Sequence, residues 1–189
     1  MERFRQYLET LIPLSSSQWE TIQSYFEVRP FQREQFFLRQ GQICRRAAFI
    51  AEGIMRYCSI GEDGTEITCY FIAENGFILD PDSFSTQKPS ALTIQAVTDC
   101  LLITLTYEGS LKLAQAFPQW EAVSGVIAQK SMMELVNQRS FLLNRNAESK
   151  YLHFIEHYPH ILQRAPLGYI ASYLGITQQS LSRLRKHIA

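Results

Sequence analysis

The last twenty-three residues, Leu167 to Ala189 (LGYIASYLGITQQSLSRLRKHIA), constrain this chain more than any other stretch. Apolar residues at Ile170, Ala171 and Leu174 mark one face of a short helix. Gly175 ends it, because a residue without a Cβ enters the left-handed C-cap conformation most easily. Ile176 plugs the corner, and Thr177 is a good N-cap for a second helix. That helix buries Leu181, Leu184 and Ile188 and turns Gln178, Gln179, Ser182, Arg183, Arg185 and Lys186 outward. Two helices crossing at a Gly-containing turn are a helix-turn-helix. The alternative is an ordinary helical hairpin. Against it, Ala171 supplies the small side chain that close approach of the helices needs, and the outer face carries groups that pair with base edges. Gln pairs bidentately with adenine and Arg with guanine. The candidate DNA contacts are Thr177, Gln178, Gln179, Ser180, Ser182, Arg183, Arg185 and Lys186.

The charge distribution agrees. The chain has 18 basic and 18 acidic residues and no formal net charge. From His157 onward there is no Asp or Glu, but there are Arg164, Arg183, Arg185 and Lys186, which leaves 14 basic against 18 acidic residues before it. A basic tail on an acidic body is the pattern expected when only the tail meets phosphate. With 189 residues there is room for one large or two small domains. Cys44, Cys58, Cys69 and Cys100 form no CxxC pair, so buried strand cysteines are expected rather than metal ligands. There is no signal-peptide pattern and no apolar run of membrane-spanning length, so a cytoplasmic protein without membrane contact is expected.

Along the chain, Phe4, Leu8 and Leu11 predict an opening helix that ends before Pro13. A second begins at Ser17 with Glu20 as its capping-box partner and runs through Trp19, Ile22, Tyr25 and Phe26. Short apolar runs follow at 35–38, 47–51, 54–60, 65–72, 92–97 and 101–106, separated by turn-rich pieces, with Gly61–Gly64 the clearest hairpin turn. Such spacing predicts a β-sandwich or roll over 30–106. Tyr107–Phe117 reads as a short helix before Pro118, and a long helix runs from about Gln119 to Leu143. The long helix is apolar on two faces: Ala122, Val126, Met133, Val136 and Leu143 on one, and Trp120, Val123, Ile127, Met132, Leu135 and Leu142 on the other. One face can pack on the roll. The other needs a second chain, unless the helix is simply buried within the monomer. A hinge at Asn144–Asn146 and a helix from about Glu148 to Tyr158 complete the reading.

A β-roll, a long helix and a C-terminal helix-turn-helix, in that order, resemble the Crp/Fnr family of bacterial transcription regulators. The resemblance is most specific in Tyr151–Ala189 and is supported by Phe37-Leu38-Arg39-Gln40-Gly41, Phe49-Ile50-Ala51-Glu52-Gly53 and Arg56-Tyr57. The fold it implies is α+β: an N-terminal antiparallel, jelly-roll-like β-roll flanked by helices, a long dimerisation helix, and a C-terminal helix-turn-helix domain of winged-helix type. The corresponding domains are 1–118 (a cyclic-nucleotide-binding-like sensor), 119–145 (dimerisation helix and hinge) and 146–189 (DNA-binding). The resemblance also implies a homodimer through 119–143, double-stranded DNA as partner, and RNA polymerase as a candidate further partner. By position, Gln178, Gln179 and Arg183 fall where the family contacts bases, although the family often has Arg or Pro at the first of these.

A second departure concerns the effector. Nucleotide-binding members carry Gly-Phe-Gly-Glu and, later, Arg-Ser/Thr-Ala, because a buried cyclic phosphate needs a guanidinium and a ribose hydroxyl needs a carboxylate. Here Ile78 stands in place of the Glu and Pro89 in place of the Arg, with Asp80 and Asp82 nearby to repel a phosphate. The expectation is a roll without cyclic AMP, whose effector pocket, if it serves some other small molecule, involves Gly76, Phe77, Ser83 and Ser90. No cofactor is implied. Two alternatives stand beside this reading: a ligand-binding or protein-interaction module that no longer reads DNA, and a zinc hydrolase. The latter rests on His153-Phe154-Ile155-Glu156-His157, which matches H-x-x-E-H only as a short pattern. No histidine precedes His153, so the roll lacks cupin-type metal chemistry, and no P-loop, dinucleotide fingerprint or nucleophile–base pair is present. The chain reads as a regulator, not an enzyme.

Overall fold

The computed structural model describes residues 1–61, 64–143 and 145–188. Helices α1 (Glu2–Glu9) and α2 (Ser16–Gln23) lead into strands β1 (Phe26–Phe31), β2 (Phe36–Leu38), β3 (Arg46–Glu52), β4 (Met55–Ile60), β5 (Glu66–Ile72) and β6 (Phe77–Ile78). Helix α3 (Pro81–Thr86) interrupts the strands before β7 (Thr93–Ala96) and β8 (Cys100–Thr106). Helices α4 (Tyr107–Ala116), α5 (Trp120–Leu142), α6 (Ala147–His157), α7 (Pro159–Arg164), α8 (Leu167–Leu174) and α9 (Gln178–Ile188) follow. The strands form two antiparallel four-stranded sheets, ordered β1-β8-β3-β6 and β2-β7-β4-β5. This is the antiparallel roll with flanking helices that the sequence predicts.

Burial explains why the first sheet needs apolar residues on both faces. Phe49 and Ile50 are adjacent on β3, point to opposite faces, and are both fully buried. Phe49 packs with Phe4, Leu8, Trp19, Ile22 and Leu113 in an outer core beneath the helices. Ile50 packs with Met55, Ile72, Ile94 and Leu102 in the core between the sheets. A third core joins Ile54, Phe71 and Val97 of the roll to Tyr151, Phe154, Ile161, Ile170, Tyr173, Leu174 and Leu181 of the C-terminal helices. The inner stripe of α5 runs past all three: Trp120, Val123 and Ile127 in the first, Leu135 against the second and Leu142 against the third.

Several sequence expectations need correction. The capping box of α2 is Ser15 with Gln18, not Ser17 with Glu20. The helix stops at Gln23, and Phe26 opens β1 instead, because that strand gains a full ladder along β8. Strand β6 and helices α3 and α7 leave no clear sequence pattern: two strand residues are too few for a period, and Pro81 and Pro159 begin helices here, filling the first-turn position that needs no N–H. Met132, on the inner stripe by its spacing, is 58% exposed. The hairpin turn expected at Gly61–Gly64 and the hinge at Asn144–Asn146 lie partly outside the described residues, at Glu62, Asp63 and Asn144. Asn146 itself is the N-cap of α6, accepting from the Ser149 N–H at 2.8 Å. All four cysteines are free; Cys58, Cys69 and Cys100 lie on strands, whereas Cys44 is buried in the loop before β3. No helix among the described residues is long and apolar enough to cross a membrane.

Candidate nucleic-acid interface

The turn between α8 and α9 is built as its residue types require. Gly175 adopts φ +69°, and its N–H donates to the Ser172 carbonyl at 3.1 Å. The Ile176 N–H reaches back to the Ala171 carbonyl at 3.0 Å, which completes a Schellman C-cap. Thr177 Oγ1 accepts from the Ser180 N–H at 3.1 Å and starts α9. Leu181 is fully buried and Leu184 and Ile188 pack against the same core. Thr177, Gln178, Gln179, Ser182, Arg183, Arg185 and Lys186 are exposed, whereas Ser180 is half-buried with its hydroxyl 2.9 Å from that of Thr177. Ser180 therefore serves the cap first. Beside the start of α9, an open cleft of about 610 Å³ is lined by Leu167, Thr177, Gln178, Gln179 and Ser182.

Helix α8 lies on β5, the edge strand of the second sheet. Ser172 substitutes for a neighbouring strand: its hydroxyl accepts from the Thr68 N–H at 2.9 Å and approaches the Glu66 carbonyl at 3.3 Å. Next to it the Arg56 guanidinium, only 2% exposed, donates to Gln95 Oε1, Thr68 Oγ1 and the Glu66 carboxylate, and lies 3.6 Å from the Tyr169 ring centre. Arg164 pairs with Glu74 at 2.7 Å, and Glu74 also accepts from the Gly53 N–H at 2.8 Å. Burial pushes the Glu74 carboxyl up, but hydrogen bonds from Arg164 and backbone N–H groups, with the Arg164 charge, outweigh it and bring it down to about 2. Gly53 has φ +101°, and a Cβ there would lie 2.5 Å from the Asp99 carbonyl oxygen and from Cys100 Sγ, so no other residue fits this corner. The sequence reading missed these ties, because each joins residues far apart in the chain.

In the roll, the four effector candidates do not share one face. The Phe77 ring packs into the outer core, with centroids 5.2 Å from Phe49 and 5.5 Å from Tyr7. Gly76 sits so close to Ile72 that a Cβ would lie 2.2 Å from its Cγ2. Ser83 accepts from the Cys44 N–H at 2.9 Å and donates to the Lys88 carbonyl at 2.5 Å. Ser90 donates to Asp80 Oδ2 at 2.5 Å and accepts from the Leu92 N–H at 3.0 Å. Asp80 Oδ1 accepts the Asp82 and Ser83 N–H groups and caps α3. Asp80, read from the sequence only as a repulsive neighbour, is thus the centre of this segment, and the Asp-Pro pair at 80–81 was the signal for its cap. Ile78 is fully buried between the sheets.

Val126, Met133 and Val136 of helix α5, with Leu143 at its C-cap, are between 42% and 61% exposed. Val126 and Met133 open into a groove of about 1010 Å³ between α5 and α6, also lined by Lys130, Glu134, Phe141 and His153. His153 stacks on Phe141 at 3.4 Å, and His157 lies 3.9 Å from His153 with its Nδ1–H on the His153 carbonyl. Glu156 reaches only His157, at 3.8 Å, and no group of three or more His, Cys, Asp or Glu among the described residues could hold a metal ion.

Residues 28–117 match the cyclic nucleotide-binding domain family. The roll and the helices that follow it also resemble the fold of solved transcription regulators over most of the chain. The c-di-GMP responsive global regulator CLP of Xanthomonas campestris is 16% identical, with 92% of this chain and 91% of that one covered and a TM-score of 0.72. FixK2 of Bradyrhizobium japonicum is 12% identical over 86% and 84% of the two chains, with a TM-score of 0.72. A Crp/Fnr-family transcriptional regulator of Eubacterium rectale is 15% identical over 96% and 87%, with a TM-score of 0.73. At these identities the likeness is one of fold. No curated protein matches the sequence.

Proposed function

We propose that this protein is a homodimeric transcription regulator that reads duplex DNA with α9. The observation that carries the reading is the outer face of α9. Gln178, Gln179, Ser182, Arg183, Arg185 and Lys186 are all exposed while Leu181 anchors the helix from below, and no acidic residue occurs after Glu156. Gln178, Gln179 and Arg183 would contact base edges, and Arg185 and Lys186 phosphates. Likeness of fold to regulators along nearly the whole chain supports it.

The homodimer is proposed from the outer stripe of α5. Fully burying such a side chain is worth about 1.5–3 kcal/mol. Since these four are already partly covered, about 1 kcal/mol each from both copies gives on the order of 8 kcal/mol, against association costs of roughly 4–15 kcal/mol. The seam must therefore extend beyond them, and the exposed Ala122 and Met132 are available on the same helix. An isologous seam pairs the two copies of α9 for a palindromic operator.

The roll is proposed to act without cyclic AMP or cyclic GMP. The carboxylate of Asp80 already takes the N–H groups at the start of α3 and the Ser90 hydroxyl, and Pro89 offers neither charge nor N–H. A buried phosphate without strong donors costs several kcal/mol, roughly the whole of a weak affinity. Selection of bound duplexes from a random pool tests the central reading. Enrichment of one palindromic motif is the expected result; a pool with no enriched motif leaves only the roll's other use, as an interaction module.

A further inference from the structure

Four groups stack across the connection from α5 to α6. Phe141 lies in the last turn of α5 and Arg145 in the connection, its guanidinium 4.7 Å from the Phe141 ring centre. From α6, His153 stacks on Phe141 at 3.4 Å with the planes 15° apart. His157, one turn later, stands 3.9 Å from His153. A backbone carbonyl only accepts, so the 3.1 Å contact of His157 Nδ1 with the His153 oxygen places a hydrogen on Nδ1. Around this stack lie Lys130 and Glu134 on α5, Glu156 on α6, and Tyr158 just beyond it.

We propose that the α5–α6 connection is a proton-sensitive joint: the Arg145–Phe141–His153–His157 stack holds the C-terminal helices against α5 while the His153 imidazole is neutral and loosens when it takes a proton. A new charge on His153 would gain a cation–π contact with Phe141, but that ring already carries Arg145, and the His157 ring lies 3.9 Å from His153. Burial, first, and the charges of His157 and Arg145 hold the His153 imidazole below its usual 6.5, while Glu156 opposes them. The unfavourable side therefore wins. A base whose folded pKa is lowered stabilises the closed arrangement fully above its free value and less as pH falls below it. The joint is closed above about pH 6.5 and opens on acidification through the lower value of His153.

The joint's position gives the proton a consequence. Phe141 and Arg145 flank the end of the helix proposed as the dimer seam, and α6 shares its core with α8 and α9 through Tyr151 and Phe154. Loosening it would free the two copies of α9 from a fixed spacing. That consequence rests on the DNA-reading proposal; the joint itself does not.

NMR of the full chain with labelled Phe and His tests the joint without DNA. Between about pH 8 and pH 5, the Phe141 ring resonances should move with the His153 resonances at one midpoint below 6.5. His157→Gln should raise that midpoint, since it removes a like charge. His153→Phe keeps a ring on Phe141 and should leave the Phe141 signals still across the same range. A His153 midpoint at or above 6.5, or Phe141 signals that ignore it, overturns the joint. On a selected operator, the wild type should lose several-fold more affinity than His153→Phe between about pH 7.5 and 5.5. Equal pH dependence in the two overturns the link to α9.

Discussion

Arg56 shows how much one residue can tie together. Its guanidinium is buried and donates to side chains from β5 and β7 while Tyr169 of α8 covers its face. Hydrogen bonds to a charged group contribute about 1.5–3 kcal/mol each, and losing one partner of a buried polar set costs more than replacing the set. Arg56→Met should therefore lower stability by about 3 kcal/mol in urea melts. Glu66→Gln should cost under about 1 kcal/mol, because Glu66 is half exposed. Equal losses would mean that the ion pair, and not the buried network, matters. Glu74 adds a pH signature. Its carboxyl is held at about 2 by Arg164 and backbone N–H groups. A depressed acid stabilises above its unfolded value and loses that contribution as pH falls through the folded one. Wild-type stability should thus fall between about 4.5 and 2, and Arg164→Met should flatten that part of the profile in thermal melts.

At the scale of elements, α9 stands on Leu181, which is fully buried where α8, α9 and α6 meet. Leu181→Ala should destabilise by about 2–5 kcal/mol, a cost set by how far the site can collapse. A loss from urea melts of less than about a third of that free energy would mean α9 is held elsewhere. The elements legible in the sequence were those with a period or a cap to betray them: α1, α4, α5, the turn at Gly175 and most strands. Two-residue β6 has no period to read, and α3 hides behind a proline that the eye takes as a break. The capping box of α2 slipped by two residues because Ser15, Ser16 and Ser17 are equivalent until geometry chooses among them. In the candidate interface, the exposed face of α9 followed from spacing alone. Its docking on β5 did not, since Ser172 and Thr68 are 104 positions apart and Arg164 of α7 pairs with Glu74 in the turn before β6. Local patterns carry no trace of such pairs.

For the whole molecule, the three cores make one body in which the C-terminal helices share apolar residues with the roll through Phe71 and Tyr173. The outer stripe of α5 leaves Val126, Met133 and Val136 exposed on one helix face. Val126→Glu or Met133→Glu would bring a charge into the proposed seam, and sedimentation should then give monomers where the wild type gives dimers. A wild type that sediments as a monomer at micromolar concentration contradicts the seam. The central claim is that α9 reads sequence, and one comparison tests it most directly. Affinities of the wild type, Arg183→Ala and Lys186→Ala are measured on a selected operator and on its single-base variants at several salt concentrations. Arg183→Ala should lose about 1–3 kcal/mol on the operator and tolerate substitution at one base pair per half-site. Lys186→Ala should weaken every duplex alike and reduce the salt slope by about one. If Arg183→Ala weakens all duplexes equally and relaxes preference at no position, α9 does not read bases.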